Sequence, residues 1–196
     1  MTKIILITGG QRSGKSTKAE ELALSLSPNP VYVATAHVWD DEFRERVHRH
    51  QERRGPQWTN IEEEMFLSRH DLTGRVVVID CVTLWLTNLL YSAECRTENV
   101  EFATATEGSA DSAAVANSTF NTLHSTLELA KREFDAFTNH DATYIFVTNE
   151  IGLGGVSENA LQRKFTDLQG WMNQYIAQKA DEVILMVSGI PVKVKG

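Results

Sequence analysis

The chain has 196 residues, 42% of them hydrophobic, and a formal net charge of −7. That is enough for one sizeable core and a single domain. The excess of acids, 26 against 19 bases, speaks against a protein that coats nucleic acid, because counterion release needs a basic face; it leaves room for an anion held in a local pocket.

The first apolar run, "KIILIT", reads as a buried strand, and "GGQRSGKST" follows it at once. Gly9-x-x-x-x-Gly14-Lys15-Ser16 has the spacing of a phosphate-binding loop, with Gly10, Gln11, Arg12 and Ser13 inside it. The glycines let the backbone turn tightly, so that successive N–H groups face one anion. The helix that starts there adds its positive dipole end. Lys15 supplies a compact cation for the β and γ phosphates, and the Ser16 hydroxyl is a magnesium ligand.

"GKSTKAEELALSLS" continues as a helix, and "PVYVAT" as a second strand. "DDEFRERVHRHQERR" has helical spacing and holds His48 and His50 among arginines. On a helix those two imidazoles diverge by about 200°, which disfavours a shared metal. A solvated basic face is one reading of this run. A histidine nucleophile beside phosphate-holding arginines, Arg53 and Arg54, is the other, and the residues alone leave both open.

"RVVVID" reads as a third strand whose terminal Asp80 suits a place on the magnesium side of the phosphate loop or the part of a base. Cys81, just after it, is expected to be buried; with Cys95 it forms neither a disulfide framework nor a zinc spacing. "VTLWLTNLLYS" is an apolar helix. Residues 93–118 are poor in large hydrophobes and read as a mobile surface insertion between two helices. A helix, "FNTLHSTLELAKREFDAFTNH", a strand, "TYIFVTN", a helix, "NALQRKFTDLQGWMNQYIAQKA", and a strand, "DEVILMVSG", complete the alternation. "GIPVKVK" can add an edge strand. The strands are continuous Val- and Ile-rich runs, as in a parallel sheet covered on both faces, so the expected class is α/β. No cleavage pattern follows "MTKIILITGG" and no apolar stretch reaches membrane-spanning length, which predicts a cytoplasmic protein.

A guanine-reading Asn-Lys-x-Asp motif is absent. The residues by themselves fit a small-molecule kinase or a nucleotide-dependent switch. In order, however, "ILITGGQRSGKSTKAEELA", "VYVATA", "DDEFRERVHRHQERRGPQWTNIEE", "VVVIDCVTLWLTNLL", "VTNEIGLGGV" and "GWMNQYIAQKADEVILMVSGIPVKVK" resemble the bifunctional adenosylcobinamide kinase/adenosylcobinamide-phosphate guanylyltransferases of cobalamin biosynthesis. The resemblance spans nearly the whole chain outside 93–118. It implies a RecA-like P-loop NTPase fold, a mostly parallel sheet flanked by helices. It implies two reactions: phosphorylation of adenosylcobinamide by ATP or GTP with Mg²⁺, and transfer of GMP from GTP to the resulting phosphate through a histidine–GMP intermediate. His50 matches the family's histidine, following Arg46-Val47-His48-Arg49. Beside it stand the residues of the phosphate-loop reading, Lys15 and Asp80 as catalytic residues and Ser16 and Asp80 as the metal side. The nucleotide contacts carry over to Gly9–Ser16, Ala34, Thr35, Ala36, Gln51, Glu52, Arg53, Arg54, Glu62 and Leu84. The resemblance also implies a homotrimer. Ser157 and Thr166 depart from the family pattern, which commonly has proline and arginine there.

Overall fold

A computed structural model describes residues 1–37, 45, 54–104 and 112–196, with side chains described outside 94–120. The helix expected over 40–54, with His48, His50, Gln51, Glu52 and Arg53, therefore lies outside the described residues except for Glu45 and Arg54.

Chain order gives β1 (Lys3–Gly9), α1 (Lys15–Leu26), β2 (Val31–Ala34), β3 (Thr59–Glu62), β4 (Val76–Asp80), α2 (Val82–Thr104), α3 (Ser112–Thr138), β5 (Thr143–Val147), α4 (Ala160–Lys179), β6 (Glu182–Val187) and β7 (Ile190–Lys195). Short 3₁₀ turns stand at Leu67–Arg69 and Ile151–Gly154. The seven strands form one sheet in the order β3-β2-β4-β5-β1-β6-β7. All neighbours pair parallel except β6 and β7.

The unbroken apolar runs have a simple cause. Along β1, Ile4 and Leu6 face one core while Ile5 and Ile7 face another. The larger core packs Trp85, Leu86 and Leu89 of α2, Phe134 and Phe137 of α3, and Leu168, Met172 and Ile176 of α4 against the sheet. The smaller one receives Ala19 and Ala23 of α1. With both faces covered, period-two alternation has no reason to appear.

Two expectations are corrected. β3 was not foreseen: "TNIE" is an exposed edge strand with Ile61 as its one apolar residue, so it carries no hydrophobic signal. The helices on either side of the segment read as 93–118 reach further into it than expected: α2 runs on to Thr104 and α3 begins at Ser112. Alanine and glutamate there (Ala93, Glu94, Glu98, Ala113, Ala114, Ala116) are strong helix formers, so helix continues where large apolar residues are few. No described helix is long and apolar enough to cross a membrane.

Candidate active site

The parallel strands β1, β2, β4 and β5 all end on one edge, and a cavity of about 1070 Å³ opens there. This is where the carboxyl ends of strands leave room for a ligand in open α/β sheets. Residues Gly10 to Thr17 form one wall.

The loop after β1 is shaped by its glycines. Gly9 has φ +148°, and a Cβ there would lie 2.5 Å from the Met186 carbonyl oxygen. Gly14 caps α1 in the left-handed region at φ 93°. The Gly189 N–H, in the β6–β7 turn, donates to the Ser13 carbonyl at 3.0 Å and ties the loop to the sheet. Lys15 is buried, and its Nζ donates to the Gly10 carbonyl at 2.6 Å. Burial pulls its pKa below the ordinary lysine value, while the thiol and carboxyl of Cys81 and Asp80 pull it the other way. The Ser13 hydroxyl and Arg54 Nη1 are buried without a hydrogen-bond partner among the described residues, and both residues line the cavity. Buried donors in that condition fit an anionic ligand.

Asp80 ends β4 opposite the loop. Its Oδ2 accepts from the Tyr32 hydroxyl at 2.7 Å. Burial and the neighbouring carboxylate raise the Tyr32 pKa well above 10, so the phenol stays a donor. The Arg54 guanidinium lies over the Tyr32 ring, 3.6 Å from its centroid, and its Nε donates to Asn60 Oδ1 at 2.9 Å. Cys81 is buried as expected, and desolvation pushes its thiol up to about 12.

Among the described site candidates, the loop from Gly10 to Ser16, Ala34, Ala36, Arg54, Asp80 and Leu84 come together on this cavity, and Gly9 supports it from below. Thr35 does not line it. That side chain is fully buried and exchanges hydrogen bonds with the Cys81 backbone, accepting from N–H and donating to the carbonyl, both at 2.8 Å. Thr35 thus fixes the peptide after Asp80. Glu62 ends β3 at the outer edge of the sheet and does not line the cavity either.

Sequence reading missed Tyr32, Thr83, Asn149, Glu150, Leu153 and Gln162, all of which line the cavity. A signal existed for two of them. "TNE" follows an apolar strand just as Asp80 does, and so stands at the same edge of the sheet. Asn149 is held there by Thr83 Oγ1, which accepts from its backbone N–H at 3.2 Å and its side-chain amide at 3.0 Å.

Comparison with known proteins gives the family. A family model described as cobinamide kinase / cobinamide phosphate guanyltransferase matches residues 5–194. The bifunctional adenosylcobalamin biosynthesis protein CobU of Salmonella typhimurium is 33% identical over 98% of this chain and 99% of its own length. Its Escherichia coli namesake is 35% identical with the same coverage. A solved ATPase of a bacterial type III secretion system aligns with a TM-score of 0.51 at 10% identity, over 95% of this chain and 52% of that one. That last likeness concerns the fold alone, and it agrees with the expected α/β class.

Proposed function

This chain belongs to the cobinamide kinase / cobinamide phosphate guanyltransferase family, and from that premise we propose how its residues serve two reactions. The enzyme first transfers a phosphoryl group from ATP or GTP to the hydroxyl of adenosylcobinamide. It then transfers GMP from GTP to that phosphate, releasing pyrophosphate. The observation that carries the reading is the convergence of the phosphate loop, Asp80 and Arg54 on one cavity.

In the first reaction the loop N–H groups and Lys15 hold the triphosphate, and the buried ammonium gains most when phosphate charge enters its low-dielectric site. Ser16 and Asp80 put a hydroxyl and a carboxylate on the same cavity, hard oxygen donors that suit Mg²⁺. Bound there, the ion supplies charge neutralisation for the phosphates.

In the second reaction His50 attacks the α-phosphorus, pyrophosphate leaves, and the phosphate of the acceptor later displaces imidazole. This splits one encounter between anions into two easier ones. His50 and its neighbours Gln51, Glu52 and Arg53 lie outside the described residues. Ala36 and Arg54, which flank that stretch in the chain, both line the cavity, and this supports delivery of His50 to it. Ala34, Ala36 and Leu84 are the nucleotide-side walls; Thr35 serves by holding the Asp80 strand end, and Glu62 at the periphery.

The protein works in the cytoplasm as a homotrimer, each chain a single working unit. The exposed Ile190, Val192 and Val194 of β7 offer apolar surface for subunit contact. Incubating the protein with adenosylcobinamide, GTP and Mg²⁺ and following the corrinoid by mass spectrometry tests the reading. Cobinamide phosphate should appear first and its GDP derivative second. Formation of the phosphate alone, with no GDP derivative at long times, would leave a plain kinase.

A further inference from the structure

The described cavity has two carboxylates, Asp80 and Glu150, and the reactions above use only the first. Glu150 follows β5, the neighbour of β1, and its backbone N–H donates to the Gly9 carbonyl at 3.1 Å. The Lys15 ammonium sits on the next carbonyl, that of Gly10. Glu150 therefore stands beside the end of the phosphate loop that receives the terminal phosphate.

Its carboxylate is held in place. Oε1 accepts from the Thr8 hydroxyl at 2.5 Å and from the Asn173 amide at 3.3 Å, and both residues are buried. Asn173 is fixed in turn: its Oδ1 accepts from the Thr148 hydroxyl at 2.7 Å and the Gln169 amide at 2.8 Å. Oε2 has no hydrogen-bond partner among the described residues. A carboxylate anchored by one oxygen, with the other left over in a nucleotide cavity, has the form of a proton acceptor.

The surroundings separate the two carboxylates. Asp80 accepts from the Tyr32 hydroxyl, over whose ring the Arg54 guanidinium lies, and the reading above assigns this carboxylate to the metal side. Glu150 instead opens onto the turn Ile151–Gly154, where Leu153 is 78% exposed. That open, apolar rim is where a bulky alcohol can approach. Cys81, next to Asp80, is a buried thiol and no substitute base.

We propose that Glu150 is the general base of the kinase reaction, with the Ile151–Gly154 turn as the rim against which the acceptor alcohol lies. The hydroxyl proton passes to Oε2 as its oxygen bonds to the γ-phosphorus. The bond from that phosphorus to the β–γ bridging oxygen breaks, and its electron pair leaves with the nucleoside diphosphate. The inference rests on the kinase reading above.

The test is Glu150→Gln, which keeps the hydrogen bonds to Oε1. The kinase kcat should fall on the order of 10²-fold or more. Nucleotide affinity, measured by calorimetry, and labelling of the chain by α-labelled GTP should stay at the wild-type level. A kcat within about threefold of wild type overturns the proposal, because general-base catalysis is worth far more. Loss of nucleotide affinity in step with kcat overturns it too, making Glu150 part of the nucleotide site. Glu150→Ala with added formate is the second arm: formate should restore a measurable part of the kinase rate, and no rescue in a folded variant counts against a proton-accepting role. Should Glu150→Gln not fold, Glu150→Asp decides, with reduced kcat at intact nucleotide affinity expected and an unchanged kcat contradicting the idea. Wild-type protein that turns over no cobinamide is a different failure, that of the kinase reading itself.

Discussion

Lys15 shows at the scale of one residue how binding sets stability against function. Its folded pKa lies below the unfolded value of 10.5, so the unfolded chain binds that proton more tightly. Through this group, the stability of the nucleotide-free protein rises with pH as pH passes from the folded pKa to the unfolded one, and below that window the buried charge is a standing cost. Lys15→Met should therefore melt no lower than wild type without nucleotide, yet lose kinase turnover by on the order of 10²-fold or more. GTP at about 100 times its Kd should raise the wild-type Tm by roughly 5–10 °C and the variant's far less, which differential scanning calorimetry checks. A second contrast concerns two adjacent glycines. A Cβ at Gly9 meets backbone at 2.5 Å in a left-handed conformation, whereas one at Gly10 meets nothing within 4 Å. Gly9→Ala should cost about 2 kcal/mol or more, roughly 4–8 °C in Tm. Gly10→Ala should melt near wild type while weakening nucleotide binding, since the space it fills belongs to the cavity. The loop was legible in the sequence because its chemistry is local: spacing, a strand before and a helix after. Tyr32 was not, because a tyrosine within an apolar strand reads as core, and only the fold brings its hydroxyl to Asp80 from 48 positions away.

Among the elements, legibility followed burial. The strands β1, β2, β4, β5 and β6 announce themselves because both of their faces are covered, and each appears within a residue or two of its apolar run. β3 has almost no buried side chain and gave no sign. Helices α2 and α3 were cut short for the opposite reason: helix propensity carries their backbone past the point where hydrophobic spacing stops. Among the described side chains of the pair, the core residues Val82 to Leu90 and Leu123 to Phe137 pack on the sheet. Thr83 and Leu84 of α2 line the cavity, and at about 1.5 Å per residue the Thr104 end lies roughly 30 Å further along the helix. Replacing 98–117 by a short Gly-Ser linker should therefore leave both activities within about twofold and stability within about 1 kcal/mol, since loop length enters the folding free energy only logarithmically. Urea unfolding and paired activity assays check this. A folded but inactive product would make the segment a substrate or subunit contact.

For the molecule as a whole, one sheet edge collects the ends of four strands and so gathers residues far apart in the chain into one cavity. The proposed reading places one nucleotide site with two acceptors at this edge. On the reading proposed above, the loop serves triphosphate in both reactions and what differs is the nucleophile: an alcohol for the γ-phosphorus in one, His50 for the α-phosphorus in the other. If the chain is trimeric, light scattering should give three times its 21.9 kDa at micromolar concentration, and a charge placed at Val192 should dissociate it. The division of labour has one direct test, the mapping of a covalent GMP adduct after incubation with α-labelled GTP and Mg²⁺. The label should reside on His50, survive alkali and be lost in mild acid, as a phosphoramidate is, because protonated imidazole is a good leaving group. It should be chased from the protein by cobinamide phosphate. His50→Ala should abolish it and spare the kinase step, whose nucleophile belongs to the substrate, while His48→Ala should leave it in place. An adduct that persists in His50→Ala, or the lack of any adduct in wild-type protein that phosphorylates cobinamide, would contradict the account.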